Sequence, residues 1–236
     1  MKLKGRVALL TGGTGELGKA VTGRFLAEGA DVIVTYHSDA DIPQFKEDFP
    51  HVAMLKGDLS KERDVLEIFT TLREKEKPIE ILCNLIGGYM PKKDFTELSE
   101  KEWDFMFALN LKTCFLCSRS ALQVMRENKY GRIINVSAMA GLSPSAGRGA
   151  YGIAKAGVAT FTHIAGEEAK SYHGSNITVN AIAPSILLTE ANKESAPEEE
   201  RAAWVTLHEA AELIAFLASN EASSINGQTI RIYGRV

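Results

Sequence analysis

Short apolar runs rich in β-branched residues alternate with longer amphipathic segments along almost the whole chain. Several of these runs are nearly continuous in apolar residues, as in parallel strands that helices cover on both faces. Strands that alternate with helices predict a parallel, doubly wound sheet with right-handed crossovers. The sequence therefore predicts an α/β fold of about seven strands with helices on both faces. The predicted strands are residues 6–11, 31–36, 51–58, 79–86, 131–137, 177–183 and 228–234.

Three of the intervening helices have recognisable boundaries. The first ends at Gly29, a typical helix stop. Ser99 and Glu102 have the spacing of a capping box and predict the start of a second helix. Residues 151–169 predict a long helix rich in alanine. The sequence contains no internal repeat and no linker, so residues 1–236 are predicted to form a single domain.

Composition and charge argue against several classes of function. The chain of 236 residues is 45% hydrophobic and 24% charged, which is ordinary for a globular domain. A formal charge of −3 with scattered basic residues gives no footprint for nucleic acid. No apolar run approaches the roughly 20 residues that cross a membrane. Since the N-terminus enters a predicted strand without a signal-peptide pattern, we expect a cytoplasmic protein.

The three cysteines predict neither a disulfide framework nor a metal site. Cys114 and Cys117 form a lone C-x-x-C motif inside a predicted helix, and no second pair could complete a zinc site. Cys83 lies in a predicted strand. We interpret all three as core residues.

The stretch TGGTGELG, residues 11–18, joins the first predicted strand to the first predicted helix. Glycines at this turn allow close backbone approach, and the following helix N-terminus can face a pyrophosphate. The loop therefore predicts dinucleotide binding in a Rossmann-type fold, although a tight turn without a ligand could have the same glycines. The predicted cofactor contacts in the loop are Thr11, Gly12, Gly13, Thr14, Gly15, Glu16, Leu17 and Gly18.

The end of the second predicted strand bears on the choice of cofactor. An acidic residue there holds the ribose hydroxyls of NAD, whereas an arginine accommodates the 2′-phosphate of NADP. Tyr36 and His37 occupy this position, and Asp39 comes slightly late. Because the acid is absent, we predict NAD(P)H with NADPH slightly favoured over NADH, although Glu16 would disfavour an additional phosphate nearby.

Tyr151 and Lys155 lie four residues apart on a predicted helix, so both side chains can reach one cleft. A free tyrosine has a pKa of about 10, too high for efficient proton exchange near neutral pH. A lysine ammonium and a positive nicotinamide both stabilise the phenolate and lower this pKa. The pair therefore predicts an acid/base catalyst, although a surface tyrosine and lysine could have the same spacing.

Further motifs occur in a fixed order along the chain: GDL at residues 57–59, NLIGG at 84–88, LNLKT at 109–113, VNAIAPS at 179–185 and SINGQTIRIYG at 224–234. With the glycine loop and Tyr-x-x-x-Lys, they make the chain resemble the short-chain dehydrogenase/reductase family over almost its whole length. The resemblance implies an NAD(P)H-dependent oxidoreductase. It also implies a homodimer or homotetramer that uses the long helices beginning near residues 99 and 151.

The same resemblance implies a role for each matching position. Tyr151 would be the general acid/base, Lys155 would bind the nicotinamide ribose and lower the tyrosine pKa, and Asn110 would anchor a water in the proton relay. The predicted cofactor contacts outside the glycine loop are Tyr36, His37, Asp58, Leu59, Asn84, Gly87, Tyr151, Lys155, Pro184, Ser185, Ile186 and Thr189.

Ala138 stands where the family usually has a serine, thirteen residues before the tyrosine. That serine would hydrogen-bond the substrate oxygen, and loss of one such donor typically costs about 3 kcal/mol. Ser137 is adjacent, but neighbouring strand residues point to opposite faces. Ser143 and Ser145 follow in a loop. None of these three serines is assumed to replace the missing donor.

Other departures resemble the dihydropteridine reductase-like subgroup of the family, which has alanine at this position and a Gly-Gly-aromatic sequence at residues 87–89. The subgroup pattern continues at Thr189, Asn192, Lys193, Pro197 and Trp204. A quinonoid pterin accepts hydride on a conjugated ring and has less need of a serine. We therefore predict a small carbonyl or a conjugated, quinonoid or pterin-like substrate; the alternative is a catalytically impaired dinucleotide-binding sensor or scaffold.

Residues 186–206 are predicted to form a short substrate lid. Ser195 and Glu198 have capping-box spacing and predict a short helix within it. Trp204 could cover the nicotinamide cleft or pin the lid to the core. Tyr89 follows a predicted strand and is a candidate pocket wall. The predicted substrate contacts are Tyr89 and Trp204.

Overall fold

The computed structural model describes residues 1–236 and contains one sheet of seven strands, all parallel to their neighbours. The strands are β1 (Val7–Thr11), β2 (Asp31–Tyr36), β3 (Ala53–Lys56), β4 (Ile81–Asn84), β5 (Tyr130–Val136), β6 (Asn176–Pro184) and β7 (Thr229–Ile232). Their order in the sheet is β3-β2-β1-β4-β5-β6-β7. Each observed strand overlaps a predicted one, so the predicted α/β fold is confirmed.

Helices cover both faces of this sheet. The helices are α1 (Glu16–Ala27), α2 (Ile42–Asp48), α3 (Glu62–Glu74), α4 (Glu100–Phe107), α5 (Thr113–Asn128), α6 (Met139–Leu142), α7 (Gly149–Lys170), α8 (Glu190–Lys193), α9 (Glu198–Arg201) and α10 (Leu207–Ala218). One core lies under α1, α2 and α10, and the other lies under α3, α5 and α7. None of these helices is both long enough and apolar enough to span a bilayer.

The central strands are buried on both sides, which explains their continuous apolar sequences. In β1, Ala8 and Leu10 belong to the core under α1 and α10, while Leu9 between them belongs to the opposite core. Successive strand residues point to opposite faces, so both must be apolar when both faces are covered. Cys83, Cys114 and Cys117 are buried, as predicted for core residues.

The strand order reverses at β1, since β2 pairs on one side of it and β4 on the other. Connections from β1 and β4 therefore leave the sheet in opposite directions, which opens a crevice at the carboxyl ends of the two strands. The glycine loop follows β1, and residues 85–89 follow β4. The fold thus places these two predicted segments at one crevice.

The segment between β6 and α10 contains the two single-turn helices α8 and α9. Leu187 and Val205 pair as an isolated parallel bridge, which closes the base of this segment. The predicted capping box is wrong: the Ser195 hydroxyl donates to the Asn192 carbonyl at 2.7 Å, and α9 begins after Pro197 without a side-chain cap. The end of α8 already uses the hydroxyl that the pattern assigned to α9.

Candidate active site

The glycine loop between β1 and α1 has a backbone that side chains would disrupt. Gly12 has a φ of +65°, in the left-handed region that favours glycine. A Cβ at Gly18 would lie 2.5 Å from the carbonyl oxygens of Gly12 and Gly13. Gly15 precedes α1 and provides no side-chain cap. The first amides of α1 are therefore left for another acceptor.

A cleft of about 630 Å³ opens beside this loop at the carboxyl edge of the sheet. Its lining includes eight of the predicted cofactor contacts: Gly12, Thr14, Gly15, Tyr36, His37, Asp58, Leu59 and Gly87. The lining residues that we did not predict are Thr35, Asp41, Gly57, Ser60, Leu85, Ile86, Phe105, Ala108, Leu109 and Thr113. Most of these residues lie beside a predicted contact or inside one of the motifs. Their position next to a motif was therefore the one sequence feature that could have identified them.

The remaining predicted cofactor contacts lie outside the lining of this cleft. They lie in the glycine loop and the first turn of α1, at the end of β4, on α7, and at the end of β6 with the segment that follows it. These residues are Thr11, Gly13, Glu16, Leu17, Gly18, Asn84, Tyr151, Lys155, Pro184, Ser185, Ile186 and Thr189.

Carboxylates near the ends of β2 and β3 are already engaged. The Asp39 carboxylate forms a salt bridge with Lys56. The Asp58 carboxylate accepts hydrogen bonds from the Ser60 hydroxyl at 2.6 Å and the Ser60 amide at 3.1 Å. These bonds hold the pKa of Asp58 below its usual value, so this carboxylate stays ionised and fixed in place. Asp41 is a further acid in the lining of the cleft.

Thr11 and Asn84 turn their side chains into the protein. The Thr11 hydroxyl accepts the Leu85 amide at 3.1 Å. The Asn84 side-chain amide donates to Ser118 Oγ at 2.9 Å and to Asn135 Oδ1 at 2.8 Å. Both residues therefore fix the ends of β1 and β4, and the structure places the Asn84 side chain in a buried network outside the cleft.

Asn110, Lys155 and the backbone at Gly87 converge at one end of the cleft. Asn110 lies in a π-helical turn, Ala108–Lys112, which is a local distortion often found at functional sites. Its Oδ1 accepts the Gly88 amide at 3.1 Å, and its Nδ2 donates to the Gly88 carbonyl at 3.1 Å. A Cβ at Gly87 would lie 2.9 Å from Lys155 Nζ and 3.0 Å from Asn110 Oδ1. The fold thus brings together three residues that the sequence singled out separately.

Lys155 is a buried ammonium without a carboxylate partner. Its side chain donates to the Val136 carbonyl at 2.8 Å, and the residue is 4% exposed. Burial lowers the pKa of Lys155 to about 8. A strongly perturbed group in a cleft is a candidate functional residue. One of its three N–H donors is used, which leaves donors for a ligand.

Tyr151 lies beside Tyr89, with ring centroids 5.3 Å apart and ring planes at 88°. Burial raises the pKa of Tyr151 to about 12, and the charge of Arg148 partly opposes this rise. The expected lowering of this pKa by Lys155 is not observed in the protein alone. The Lys155 ammonium donates to the Val136 carbonyl instead.

Ala138 and its neighbours leave the usual hydroxyl position without a side-chain donor. Ala138 is 5% exposed and precedes α6. The Ser137 hydroxyl donates to the Lys155 carbonyl at 2.8 Å, so it joins the end of β5 to α7. Ser137 therefore does not replace the missing serine. Ser143 and Ser145 are exposed in the following loop.

The segment after β6 is tied to the body of the protein. The Ser185 hydroxyl donates to a C-terminal backbone carbonyl at 2.9 Å, and the Thr189 hydroxyl caps α8. The Glu16 carboxylate accepts the Glu190 amide at 2.9 Å, which links the glycine loop to the start of α8. Trp204 is 7% exposed, which favours the interpretation that it pins this segment to the core.

Comparisons with known proteins agree with this architecture. The sequence profile of the short chain dehydrogenase family matches residues 6–200. A short-chain type dehydrogenase/reductase of Picea abies is 32% identical, with 98% of this chain and 92% of the relative covered. The 3-oxoacyl-[acyl-carrier-protein] reductase FabG of Vibrio cholerae is 30% identical, with 99% and 98% covered.

Among solved structures, ElxO with NADP bound superposes with a TM-score of 0.90 at 25% identity, with 98% of both chains covered. Sequence and structure therefore point to the same group of proteins over nearly the whole length. This chain belongs to the short-chain dehydrogenase/reductase family of oxidoreductases.

Proposed function

We propose that this protein is an NAD(P)H-dependent reductase that transfers hydride to a small carbonyl or conjugated substrate, with Tyr151 as the general acid/base. The observation that carries the proposal is the convergence of Lys155, Asn110 and Gly87 at the end of the cleft. A buried ammonium without a counter-ion is unfavourable unless another group at the site interacts with it. The carbonyl reduction in the name of the Vibrio cholerae relative agrees with this chemistry.

The cleft fits a dinucleotide in size and in chemistry. Its volume of about 630 Å³ is typical of small-molecule sites, and the free amides at the start of α1 suit a pyrophosphate. A bound nicotinamide cofactor supplies the hydride. Asp58 and Leu59 would border the adenine, Lys155 would hold the nicotinamide ribose, and Asn110 would orient a water of the proton relay.

Tyr151 would donate the proton during reduction. Burial raises the pKa of Tyr151 to about 12 in the protein alone, so the phenol is protonated at neutral pH but is a weak acid. Positive charge that develops on the nicotinamide, together with the Lys155 ammonium, would lower this pKa during the reaction. The protonated form can donate as negative charge develops on the substrate. Oxidation in the reverse direction needs the phenolate, so its rate is expected to rise with pH.

The substrate proposal rests on Ala138 and Ser137. Neither offers a hydroxyl for an isolated ketone oxygen, since Ser137 donates to the Lys155 carbonyl. A quinonoid or pterin-like ring spreads the incoming charge over a conjugated system and depends less on such a donor. Conjugated substrates are therefore proposed alongside small carbonyl compounds, in keeping with the resemblance to the dihydropteridine reductase-like subgroup.

For the cofactor we propose NADPH, slightly favoured over NADH. Tyr36 and His37 lie where an acid would bind the ribose of NAD, and Lys56 engages the Asp39 carboxylate. Glu16 is held by the Glu190 amide. Asp41 lines the same part of the cleft. Its carboxylate is an acid that could bind the ribose hydroxyls of NADH, so NADH is the competing cofactor. The structural neighbour with NADP bound agrees with the preference for NADPH.

We also propose a homodimer or homotetramer located in the cytoplasm, with residues 186–206 as a substrate lid. Helices α5 and α7 expose the large apolar side chains of Phe115 and Ile164 at 41% and 52%. Exposed apolar side chains on adjacent long helices suit burial against another copy. Sedimentation velocity at several concentrations tests the assembly.

The proposed reaction is tested by comparing wild type with Tyr151→Phe. We expect tight binding of NADPH by both proteins, and a loss of turnover of about 100-fold or more in the variant because the proton donor is gone. Tyr172→Phe is the matched control, since the Tyr172 hydroxyl makes no hydrogen bond and lies outside the cleft. The assay measures NADPH oxidation with a quinonoid dihydropterin, a quinone and simple ketones.

Equal turnover in wild type and Tyr151→Phe would contradict the role of Tyr151. Binding of NADPH without turnover on any substrate would favour the alternative, a dinucleotide-binding sensor or scaffold. Failure of both nucleotides to bind would contradict both functions.

A further inference from the structure

Arg148 is a charged residue at the site to which the proposed reaction gives no role. It immediately precedes α7, three residues before Tyr151. Its guanidinium carbon lies 5.5 Å from the centroid of the Tyr89 ring. The Tyr89 ring in turn packs edge-to-face with the Tyr151 ring at 5.3 Å. Arg148 is therefore placed beside the proposed proton donor and shares an aromatic neighbour with it.

The backbone that presents Arg148 is held on two sides. Lys93 pairs with Arg148 as a parallel bridge, and the Lys93 amide donates to the Gly147 carbonyl at 2.8 Å. A Cβ at Gly149 would lie 2.5 Å from the Phe95 ring, so the loop after β4 packs closely on the start of α7. This contact forms a fixed rim from which the Arg148 side chain extends.

Apart from the Tyr89 ring, the Arg148 guanidinium has no partner in the protein. It takes part in none of the salt bridges and makes no capping hydrogen bond, whereas its neighbour Lys93 is paired with Glu102. A positive charge at a helix N-terminus also opposes the helix dipole. Lys92, on the same rim, is exposed and unpaired as well. The Arg148 and Lys92 cations are therefore both free of an ion pair within the protein and available to a ligand.

We propose that Arg148 binds an anionic group of the substrate, a carboxylate or a phosphate, next to the group that is reduced. Guanidinium presents paired N–H donors that match either anion in a bidentate geometry. Its position over the Tyr89 ring restrains the guanidinium, and no hydrogen bond within the protein uses its N–H groups. Arg148 is then a specificity-determining residue, and this inference rests on the proposed function.

The charge of Arg148 also acts on the reacting group. It opposes the rise in the pKa of Tyr151, so its field extends to the phenol. An anion held by Arg148 would therefore lie close to the proton donor, which suits a small molecule with its anionic group near the carbonyl.

The test compares substrates that differ only in charge. Wild type is assayed with benzoylformate and its methyl ester, and with dihydroxyacetone phosphate and dihydroxyacetone; the two pairs distinguish carboxylate from phosphate. We expect a higher kcat/KM for at least one anionic member. In Arg148→Gln, that preference should fall by about 10- to 100-fold, mainly through KM, as expected for loss of a charged hydrogen-bonding partner. Arg148→Lys should recover part of it.

Arg73→Gln removes the same charge from an exposed side chain at the opposite end of the sheet and should leave the preference unchanged. Because the Arg148 side chain makes no capping bond and its removal loses only a cation–π contact with the exposed Tyr89 ring, Arg148→Gln should melt within a few degrees of wild type. Calorimetric binding of benzoate, phenyl phosphate and benzamide to both proteins gives a readout without turnover. These binding measurements test whether Arg148 binds an anion even when the substrates react too slowly for turnover to be measured.

Tighter binding of an anion than of benzamide, lost in Arg148→Gln, supports the inference. The inference is overturned when wild type shows no anion preference, or when Arg148→Gln retains it. Turnover of neutral substrates that depends on Tyr151 but shows no anion preference would overturn this inference and leave the proposed function intact.

Discussion

The Ser137 hydroxyl donates to the Lys155 carbonyl, so with Ala138 the position where the family usually has a serine offers no side-chain hydroxyl. Ala138 has an extended backbone, with φ −160° and ψ 161°, which any residue adopts. A serine there is also a favourable N-cap for α6. The absent hydroxyl is therefore a property of the site's chemistry and is not imposed by the backbone.

We expect Ala138→Ser to raise kcat/KM for an isolated ketone such as cyclohexanone by about 10-fold or more, because a new donor would meet the developing oxyanion. Turnover of a quinonoid dihydropterin should change by less than about 3-fold, since its charge is delocalised. Steady-state assays on both substrates check this. A loss on the ketone would show that the alanine is needed for space.

At the residue scale, sequence motifs indicated which residues lie near one another better than they indicated the direction of each side chain. Asn110, Gly87 and Lys155, which come from three separate motifs, lie together in the structure, and their roles stay predictions. Asn84 lies in a motif too, yet its side chain joins a buried network, because strand-end residues alternate between the cleft and the core. Arg148 belongs to no motif; its only signal was its position three residues before Tyr151.

At the scale of elements, the junction of β1 and α1 depends on the absence of side chains. A Cβ at Gly18 would meet two backbone oxygens at 2.5 Å, which cannot move without shifting the loop. At Gly23, on the same helix, a Cβ would lie 3.7 Å from the Phe49 ring, an ordinary contact. Both glycines thus lie on α1, but only Gly23 has space for a side-chain Cβ.

Gly18→Ala is expected to destabilise the protein by about 1–3 kcal/mol through overpacking and to weaken NADPH binding by at least about 10-fold. Gly23→Ala should keep binding and gain up to about 1 kcal/mol from helix propensity. Urea denaturation and calorimetry measure both effects. Equal behaviour of the two variants would show that the close contact at Gly18 does not shape the loop.

Local sequence signals fixed element boundaries where no neighbouring group competed. The capping box of Ser99 and Glu102 forms as predicted, and Gly29 ends α1 with a φ of +83°. The same pattern at Ser195 and Glu198 failed because Ser195 instead donates to the carbonyl of Asn192, at the end of the preceding helix. The spacing of a serine and a glutamate does not show whether a carbonyl earlier in the chain will accept the serine hydroxyl instead.

At the scale of the whole molecule, the buried Lys155 ammonium links the site to folding. Its pKa is about 8 in the folded protein and 10.5 in a free lysine. Between these values the unfolded chain binds the proton more tightly, so the free energy of unfolding rises with pH. Below pH 8 the cost of burying the charge is fully present, and above pH 10.5 it is absent.

Comparison with Lys155→Met isolates this effect, because methionine keeps a long side chain without the charge. The free energy of unfolding of wild type minus that of the variant should rise by about 3 kcal/mol between pH 8 and 10.5. The opposite effect of the raised pKa of Tyr151 above pH 10 is common to both proteins. A difference that does not change with pH would show that Lys155 is solvated or paired when folded.

The sheet and the position of its crevice were predictable because continuous apolar runs and their alternation with helices determine a doubly wound fold. The reversal of strand order at β1 then places the glycine loop and the end of β4 at one crevice. Association of two such molecules depends on surface residues such as Phe115 and Ile164. The apolar pattern that predicts the core does not predict which apolar side chains are exposed, so association could not be predicted in the same way.

Hydride transfer from NADPH, with Tyr151 as the proton donor, is measured most directly with a labelled cofactor. Wild type and Tyr151→Phe are each loaded with NADPH that has deuterium at the transferable C4 position and are given a ketone substrate. The new C–H bond of the alcohol product does not exchange with water, and the product is examined by mass spectrometry after a single turnover. We expect deuterium on the product carbon with wild type, and product formation at least about 100-fold slower with the variant. Product without deuterium, or equal rates for both proteins, would contradict the proposed reaction.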